Sequence, residues 1–267
     1  MIDTKKHPCF NIEAKHKYSR VHLPVAPKCN IQCNYCDRKY DCVNESRPGV
    51  TSAVLTPGQA LSYLKELHKE LPEITVVGIA GPGDPFANPD ATMKTLRLVR
   101  KEYPEMILCV STNGLELAPY IDELAELKVS HVTITINSID PEVLAKMYSW
   151  VRFGKKVYRG LQGAEVLLEQ QLKCIKLLKN AGITVKINSI ILPEINDHVF
   201  EELAEDIANR GADIMNCIPV VKNEGSNFSD IMEPDKKMLA RIRLQTEQYL
   251  KPMTHCARCR ADAAGLL

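Results

Sequence analysis

Three closely spaced cysteines have the clearest chemistry in this sequence. Cys29, Cys33 and Cys36 are separated by three and then two residues, so one compact loop can hold their sulfur atoms. Cysteine thiolates are the usual protein ligands of iron–sulfur clusters. Three thiolates can bind three irons of a [4Fe–4S] cube and leave the fourth open to a substrate. A zinc knuckle or a disulfide loop is the alternative, but zinc usually takes four protein ligands, and three cysteines cannot all pair.

A second cysteine pair stands near the C-terminal end of the sequence. Cys256 and Cys259 form a Cys-x2-Cys pair, which can share a metal or cluster but needs further ligands from elsewhere. Cys9 and Cys42 lie in polar stretches, which is unusual for cysteines that only pack in a core. These four residues are candidate ligands.

Other cysteines and a histidine each have two interpretations. Cys109 lies in an apolar run, where a core residue and a ligand are both reasonable. His22 lies on a candidate strand, where a lone histidine is usually structural, although imidazole is a competent iron ligand. We interpret Cys174 and Cys217 as core residues. Two histidines beside cysteines are alternatives to His22, namely His7 and His255.

An alternation of strand and helix patterns must position these side chains. Strands are predicted over residues 20–25, 74–80, 107–111, 131–136, 184–191 and 213–218. Helices are predicted over 57–71, with Thr56 as the N-cap, and over 90–103, 119–127, 141–148, 163–181, 197–210 and 235–249. Six strands, each followed by a helix, indicate parallel βαβ units. Periodicity alone does not separate a barrel from an open doubly wound sheet.

Polar and small residues follow almost every predicted strand. In barrels of parallel strands, the chemistry lies at the C-terminal ends of the strands, where a bound cofactor needs such residues. After the cysteine loop, these segments are Gly81-Pro82-Gly83-Asp84, Ser111-Thr112-Asn113-Gly114, Asn137-Ser138 and Asn188-Ser189. Glycine, proline and asparagine also form ordinary turns, so each segment alone has a structural interpretation.

Length and composition indicate one large α/β domain in a reducing compartment. The 267 residues carry a formal net charge of +1, which favours neither a nucleic-acid nor a membrane partner. No apolar run is long enough to span a bilayer, and no apolar signal segment follows Met1. Ten cysteines in the cytosol indicate metal or cluster ligation rather than disulfides. We therefore expect a cytoplasmic protein.

The cysteine loop, with Tyr35 before its last cysteine, resembles the motif of the radical S-adenosylmethionine (SAM) superfamily. The resemblance implies a partial (β/α)6 TIM-like barrel over 20–250, with cluster-binding extensions over 1–19 and 251–267, in a single domain. It also implies that the open iron chelates SAM. Electron transfer from the cluster would then give methionine and a 5′-deoxyadenosyl radical.

The same resemblance predicts a SAM site at the strand ends. Residues 81–84 stand where the superfamily has a Gly-Gly-Glu-type segment, although glycine and acid are spaced differently here. The predicted SAM-binding residues are Tyr35, Ala80, Gly81, Asp84, Ser111, Thr112, Asn113, Asn137 and Asn188.

Longer runs resemble the NifB family of nitrogenase cofactor maturases. These runs are 7–11 (His-Pro-Cys-Phe-Asn), 20–27, 29–36, 40–50, 108–114 and the terminal cysteine pair, so the likeness covers nearly the whole chain. The resemblance implies three [4Fe–4S] clusters, one that binds SAM and two, K1 and K2, that are substrates. The enzyme fuses K1 and K2, adds a sulfur and inserts a SAM-derived carbon, giving an [8Fe–9S–C] product. One SAM donates a methyl group and another yields the radical.

The family resemblance also implies a ligand set. Cys256, Cys259 and Cys9 would hold K2, while His22, Cys42 and Cys109 would hold K1. The exchange of Cys9 and Cys109 between clusters stays open. Glu45 is a candidate hard ligand or proton acceptor near K1, and Glu45, Cys42 and His22 are the predicted catalytic residues.

The implied partners are an iron–sulfur cluster donor protein, a scaffold or carrier protein that accepts the product, and a reductant such as ferredoxin. Many NifB proteins carry a further C-terminal carrier domain, and we expect a stand-alone form of the archaeal type. Two other functions stay open. One is a radical SAM enzyme that keeps its auxiliary clusters and acts on a peptide or small molecule. The other is a non-catalytic iron–sulfur carrier.

Overall fold

The apolar runs form the predicted strands, and the amphipathic segments form helices between them. The structure is a computed structural model that describes residues 2–47 and 49–267, so Met1 and Pro48 lie outside it. The strands of this part are β1 (Ser19–His22), β2 (Ile31–Cys33), β3 (Ile74–Ile79), β4 (Ile107–Thr112), β5 (Val129–Thr135), β6 (Tyr148–Phe153), β7 (Lys156–Tyr158), β8 (Thr184–Ile191), β9 (Ile214–Pro219), β10 (Lys251–Pro252) and β11 (Ala264–Gly265). The α-helices are α1 (Pro57–Glu70), α2 (Pro89–Glu102), α3 (Ile121–Glu126), α4 (Pro141–Met147), α5 (Gly160–Asn180), α6 (Phe200–Asn209) and α7 (Lys236–Thr246).

The main sheet has the strand order β10-β9-β8-β5-β4-β3-β1-β11. Strands β1, β3, β4, β5, β8 and β9 pair in parallel in chain order, and each is followed by a helix. In the described part of the chain β1 and β9 do not pair with each other, because β11 and β10 cover those two edges. This is the partial (β/α)6 barrel that the sequence predicts.

Strand register places the candidate side chains in rows. His22 pairs with Gly78, Gly78 with Cys109, and Cys109 with His131, so these four lie across neighbouring strands. Side chains two residues apart on a strand point to the same face. The next row toward the strand ends therefore adds further residues to that face, namely Ser111, Thr133 and Lys186.

A small antiparallel sheet, β2-β6-β7, holds the cysteine loop in place. Ile31 pairs with Val151, and the backbone N–H of Asn34 donates to the carbonyl of Met147 at 2.8 Å. The sequence predicts neither this sheet nor the strand character of Tyr148, which it assigns to a helix. The helix ends one residue earlier, at Met147, because residue 148 is already extended and pairs with Cys33.

The C-terminal residues fold back onto the first strand. The backbone N–H of His22 donates to the carbonyl of Ala263 at 2.8 Å, and β11 pairs antiparallel with β1. The guanidinium of Arg20 donates to the carbonyl of Leu266 at 2.7 Å and also to that of Gly265. These contacts bring the terminal cysteine pair beside the barrel. No helix in the described residues has the length and apolar character needed to cross a membrane.

Candidate functional site: two adjoining cysteine-lined cavities

The first cavity lies at the cysteine loop, and we call it the loop cavity. It encloses about 430 Å³, counting its open mouth. Its wall includes Cys29, Cys33, Cys36, Cys42, Arg38, Gly83, Asp84, Ser111, Thr112, Asn113 and Thr135. The structure thus brings the three loop cysteines together with the polar residues that follow β3 and β4.

Gly83 lets two backbone segments meet beneath the loop. Its N–H donates to the carbonyl of Ala26 at 2.6 Å, and the N–H of Asp84 donates to the carbonyl of Lys28 at 2.8 Å. A Cβ at position 83 would lie only 2.1 Å from the carbonyl oxygen of Lys28. Only glycine fits here, so the glycine segment first serves to pack the chain that leads into Cys29.

The buried carboxylate of Asp84 organises the opposite wall. It accepts hydrogen bonds from the Thr112 hydroxyl at 2.9 Å, the Asn113 N–H at 2.6 Å and the Phe86 N–H at 2.9 Å. Burial raises the pKa of Asp84, and these donors oppose that shift. The Nδ2 of Asn113 in turn lies 4.0 Å from the Sγ of Cys29. Asp84 therefore positions the segment that faces the cysteines.

The second cavity, which we call the inner cavity, lies further from the strand ends and spans about 560 Å³, counting its open mouth. Its wall holds the donors that the sequence scattered over the whole chain, namely Cys9, His22, Glu45, Cys109, Cys256 and Cys259. In residues 2–47 and 49–267, no three His, Cys, Asp or Glu side chains are arranged to hold a single metal ion. The donors instead surround a larger space.

His22 and Cys109 meet over Gly78. A Cβ at position 78 would lie 2.9 Å from the Cδ2 of His22 and 3.0 Å from the Sγ of Cys109. The Nδ1 of His22 lies 3.1 Å from the carbonyl oxygen of Arg260, which can only accept, so Nδ1 carries the proton. Burial lowers the pKa of His22 to about 4. The imidazole is therefore neutral, with the lone pair of Nε2 free to bind a metal.

The two chain extensions complete the wall of the inner cavity. The guanidinium of Arg20 donates to the Sγ of Cys259 at 2.8 Å. The ring of His255 donates from Nε2 to the carbonyl of Pro8 at 3.0 Å. This hydrogen bond joins the C-terminal extension to the N-terminal extension, next to Cys9. The thiol of Cys9 couples electrostatically to Cys109 and also to Cys256 and Cys259. This placement keeps both assignments of Cys9 open.

Glu45 connects the two cavities, since it and Ser111 line both. The Nδ2 of Asn188 donates to the Oε1 of Glu45 at 2.8 Å and to the carbonyl of Asn44 at 3.0 Å. Desolvation raises the pKa of the Glu45 carboxyl. A carboxylate with a raised pKa is a better proton acceptor, and this one stands at the junction.

Burial disfavours the thiolate form of several cavity cysteines. It raises the pKa of Cys9 to about 12 and that of Cys29 to about 11, and it also raises the pKa of Cys109. Thiolates bind metals and thiols do not, so a bound cation must supply the charge that ionises them. Cys174 and Cys217 lie in the hydrophobic core, as predicted.

Several of the predicted site residues lie away from one or both cavity walls. Tyr35 and Asn137 lie on the wall of neither cavity. The Nδ2 of Asn137 donates to the hydroxyls of Tyr35 at 2.8 Å and Tyr148 at 2.9 Å, so these side chains tie the loop to the barrel. Gly81 is also absent from both walls, while Ala80 lines the inner cavity. Cys42 lines the loop cavity and not the wall that carries His22.

Several site residues escape the sequence reasoning. Lys186 lines the inner cavity, Gly78 is its floor beneath His22, and Arg20 contacts Cys259. A signal existed for Lys186, because it stands between the apolar residues Val185 and Ile187 in a predicted strand. No sequence pattern indicated Gly78, because its position between His22 and Cys109 depends on the register of three strands.

Comparison with protein families agrees with this geometry. Residues 23–207 match the family model described as the radical SAM superfamily. The chain belongs to the radical SAM superfamily. Two solved structures support the architecture alone. Methylornithine synthase aligns with 87% of this chain and 64% of its own, at a TM-score of 0.57 and 15% identity. The AdoMet-bound enzyme anSMEcpe aligns with 85% and 56%, at a TM-score of 0.55 and 15% identity.

Curated relatives extend the likeness across the sequence. A Chlorobaculum tepidum protein named FeMo cofactor biosynthesis protein NifB is 58% identical over 100% of this chain and 63% of its own length. The protein of that name from Bradyrhizobium diazoefficiens is 47% identical over 98% of this chain and 54% of its own length. The chain thus spans between about half and two thirds of these relatives.

The loop cavity fits the cluster and SAM that the superfamily uses. Cys29, Cys33 and Cys36 would hold three irons, since all three line one cavity that retains empty volume beside them. The same wall also carries the polar residues Ser111, Thr112 and Asn113.

Proposed function

We propose that this chain is a radical SAM enzyme that builds the nitrogenase cofactor precursor. It fuses two [4Fe–4S] substrate clusters and adds one sulfide and one SAM-derived carbon, so that eight irons and eight sulfides become an [8Fe–9S–C] product. The likeness to NifB proteins over almost the entire chain supports the reaction.

One observation carries the proposal. Beside the loop cavity lies a second cavity whose wall holds four cysteines and a neutral histidine drawn from both ends of the chain and two strands. A radical SAM enzyme that keeps its auxiliary clusters and acts on an organic substrate gives no role to Cys9, His22 and Cys109 of this donor set. A simple carrier has no use for the polar loop cavity next to it. An enzyme whose substrate is itself an iron–sulfur cluster uses both.

The residues have distinct proposed roles. When bound, the cluster on the cysteine loop would supply the electron that cleaves SAM. Asp84 holds Thr112 and Asn113 against that cavity, and Glu45 at the junction accepts a proton from the carbon being inserted. His22 and Cys109 hold K1, and Cys256 and Cys259 hold K2.

Two members of the proposed ligand set differ in placement. Cys9 adjoins both groups and serves as the third ligand of either cluster. Cys42, on the loop-cavity wall, reaches K1 only at the junction of the two cavities. Imidazole in place of a thiolate lowers the negative charge of the site and gives bonds labile enough for a cluster that must be rebuilt.

An anaerobic product assay tests the proposal. The chain is reconstituted, its iron is counted, and SAM and dithionite are added while S-adenosylhomocysteine and 5′-deoxyadenosine are followed. Three four-iron clusters give about twelve irons per chain. Both nucleoside products, together with loss of the separate cluster signals, are expected. Deoxyadenosine without S-adenosylhomocysteine would instead favour an enzyme acting on an organic substrate.

A matched variant separates the two cavities. Cys256→Ser with Cys259→Ser should lower the iron count and abolish cluster fusion while the loop-cavity cluster still cleaves SAM. Cys174→Ser, in the hydrophobic core, is the control for loss of a buried thiol. Failure of wild-type chain to cleave SAM under strong reductant would favour a carrier. A cluster donor, a scaffold that accepts the product, a ferredoxin-type reductant and a cytoplasmic location all belong to this proposal.

A further inference from the structure

Lys186 is a buried cation in the inner cavity, and no contact in the proposed mechanism uses it. It lies on β8 with 6% of its surface exposed. Its Nζ is 3.9 Å from the Sδ of Met253 and 5.4 Å from the centre of the Phe10 ring. A thioether is a weak acceptor, and an aromatic face compensates an ammonium only in part.

The surroundings of Lys186 lack a fixed counter-ion. Across the described residues, none of the ion pairs within 4.0 Å includes this lysine. Burying an ammonium without an anionic partner is costly. The thiols around it are neutral when protonated. The carboxyl of Glu45 lines the same cavity but forms no ion pair with Lys186 within 4.0 Å in the described residues, so the ammonium has no direct anionic contact until an anion enters the cavity.

A second donor in the same wall is also unused. The Nδ1 of His7 accepts the backbone N–H of Cys9 at 3.2 Å, so the proton of this imidazole is on Nε2. Its Nε2 is buried and has no hydrogen-bond partner in the described structure. Buried donors are nearly always satisfied, so this one also indicates an acceptor-rich ligand.

Lys186 acts electrostatically on the proposed ligands. Its ammonium shares the wall of the inner cavity with Cys9 and Cys109. An ammonium among ionisable sulfurs matches a ligand with negative sulfur atoms. Two kinds of ligand fit this description, namely the sulfides of an anionic iron–sulfur cluster and free hydrosulfide.

We propose that Lys186 is a positioning residue that binds an anionic sulfide ligand beside Cys9 and Cys109 in the inner cavity. The inference rests on the proposed function for the identity of the cluster, and it adds the charge that holds the cluster. Cysteines and histidine bind the irons, while Lys186 and His7 contact the sulfide side.

The test compares three variants of the full chain under anaerobic conditions without SAM. Lys186→Met removes the charge at similar volume, Lys186→Arg keeps the charge, and Lys173→Met removes an exposed lysine of α5 as a control. Thermal unfolding verifies that each variant folds, and Lys186→Gln replaces Lys186→Met if the latter does not. The readouts are iron per chain and the midpoint potentials of the cluster signals.

Loss of a nearby positive charge makes reduction harder. We expect Lys186→Met to lose at least half of the inner-cavity iron or to shift a cluster potential to more negative values. Lys186→Arg should restore both, and Lys173→Met should match wild type. Iron and potentials equal to wild type in Lys186→Met, with no change in hydrosulfide binding, would overturn the inference.

Calorimetry with sodium hydrosulfide on the iron-free chain separates the two sources of sulfide. Binding by wild type that Lys186→Met lacks assigns free hydrosulfide. Absence of binding in both, with altered iron or potential, assigns the sulfides of a cluster. None of these readouts requires turnover. A wild-type chain that cleaves SAM without fusing clusters would therefore refute the proposed function and leave this inference standing. If wild type forms the product normally while Lys186→Met has unaltered iron, potentials and hydrosulfide binding, this inference is refuted and the proposed function stands.

Discussion

Gly78→Ala tests whether the floor of the inner cavity sets the spacing of its ligands. The added Cβ would lie 2.9 Å from the Cδ2 of His22 and 3.0 Å from the Sγ of Cys109, below ordinary van der Waals contact. Gly78 is on a central strand, paired on both sides, so its backbone has little room to retreat. His22 is also held by its hydrogen bond to the carbonyl of Arg260. The two ligand side chains must therefore separate.

The cost follows from the crowding. Overpacking a well-filled interior by one methyl group costs about 1–3 kcal/mol. The side chains of His22 and Cys109 could absorb this strain when a cluster binds. The affinity of the inner cavity for iron would then fall roughly five- to 140-fold, since about 1.4 kcal/mol corresponds to a factor of ten. If the backbone yields instead, the same energy is lost from the free energy of unfolding of the iron-free chain.

The assay counts iron in a chain whose loop cysteines Cys29, Cys33 and Cys36 are replaced by serine, so that inner-cavity iron is measured alone. Denaturant unfolding of the iron-free chain is measured in parallel. Gly58→Ala is the matched control, because a Cβ there meets no atom within 4 Å. Iron affinity and unfolding free energy both equal to those of the control would refute the role assigned to Gly78.

Three further substitutions separate catalysis, positioning and packing. Glu45→Gln keeps the acceptor for Asn188 but removes the base, so cluster fusion should fall 10²-fold or more while SAM cleavage stays within about twofold; equal losses of both would contradict the role. Asp84→Asn places an amide among buried donors and should lower the free energy of unfolding by about 1–3 kcal/mol. Asn137→Ala should cost at least that much in urea unfolding yet leave the SAM dissociation constant unchanged, and weaker SAM binding at unchanged stability would return it to the site.

Local chemistry explains why the six βα units could be predicted. The strands are runs of β-branched residues, and helix α1 begins where Thr56 and Gln59 form a capping box, with the Gln59 side chain 2.9 Å from the Thr56 N–H. Such signals need only neighbouring residues. The small sheet was not predicted from the sequence, because it joins residues 31–33 to residues 148–153 and nothing within either stretch specifies that pairing.

The candidate site likewise has residues that local sequence predicts and residues whose roles depend on tertiary contacts. Cysteine spacing identifies the ligands of the loop cavity, since those side chains are close in sequence. Asn137 looks like a turn former or a cofactor contact from sequence, and only the fold shows that two tyrosine hydroxyls take up its amide. A polar residue after a strand can contact a ligand or a neighbouring element of the fold. Which of the two it contacts depends on tertiary structure and not on the local sequence.

The inner cavity depends most on long-range structure. Its donors come from residues 9, 22, 109, 256 and 259, and they converge because β11 pairs with β1 and because His255 donates to the carbonyl of Pro8. A site closed by both chain extensions can open without unfolding the barrel, since none of those contacts joins two of the six parallel strands to each other. That property suits a substrate that enters as two clusters and leaves as one larger product. Weakening the tail by Arg20→Met, which removes the donor to Cys259 and to the carbonyl of Leu266, should therefore speed iron loss from the inner cavity while the barrel keeps its unfolding midpoint. An unchanged rate of iron release to a chelator would show that the tail does not gate the cavity.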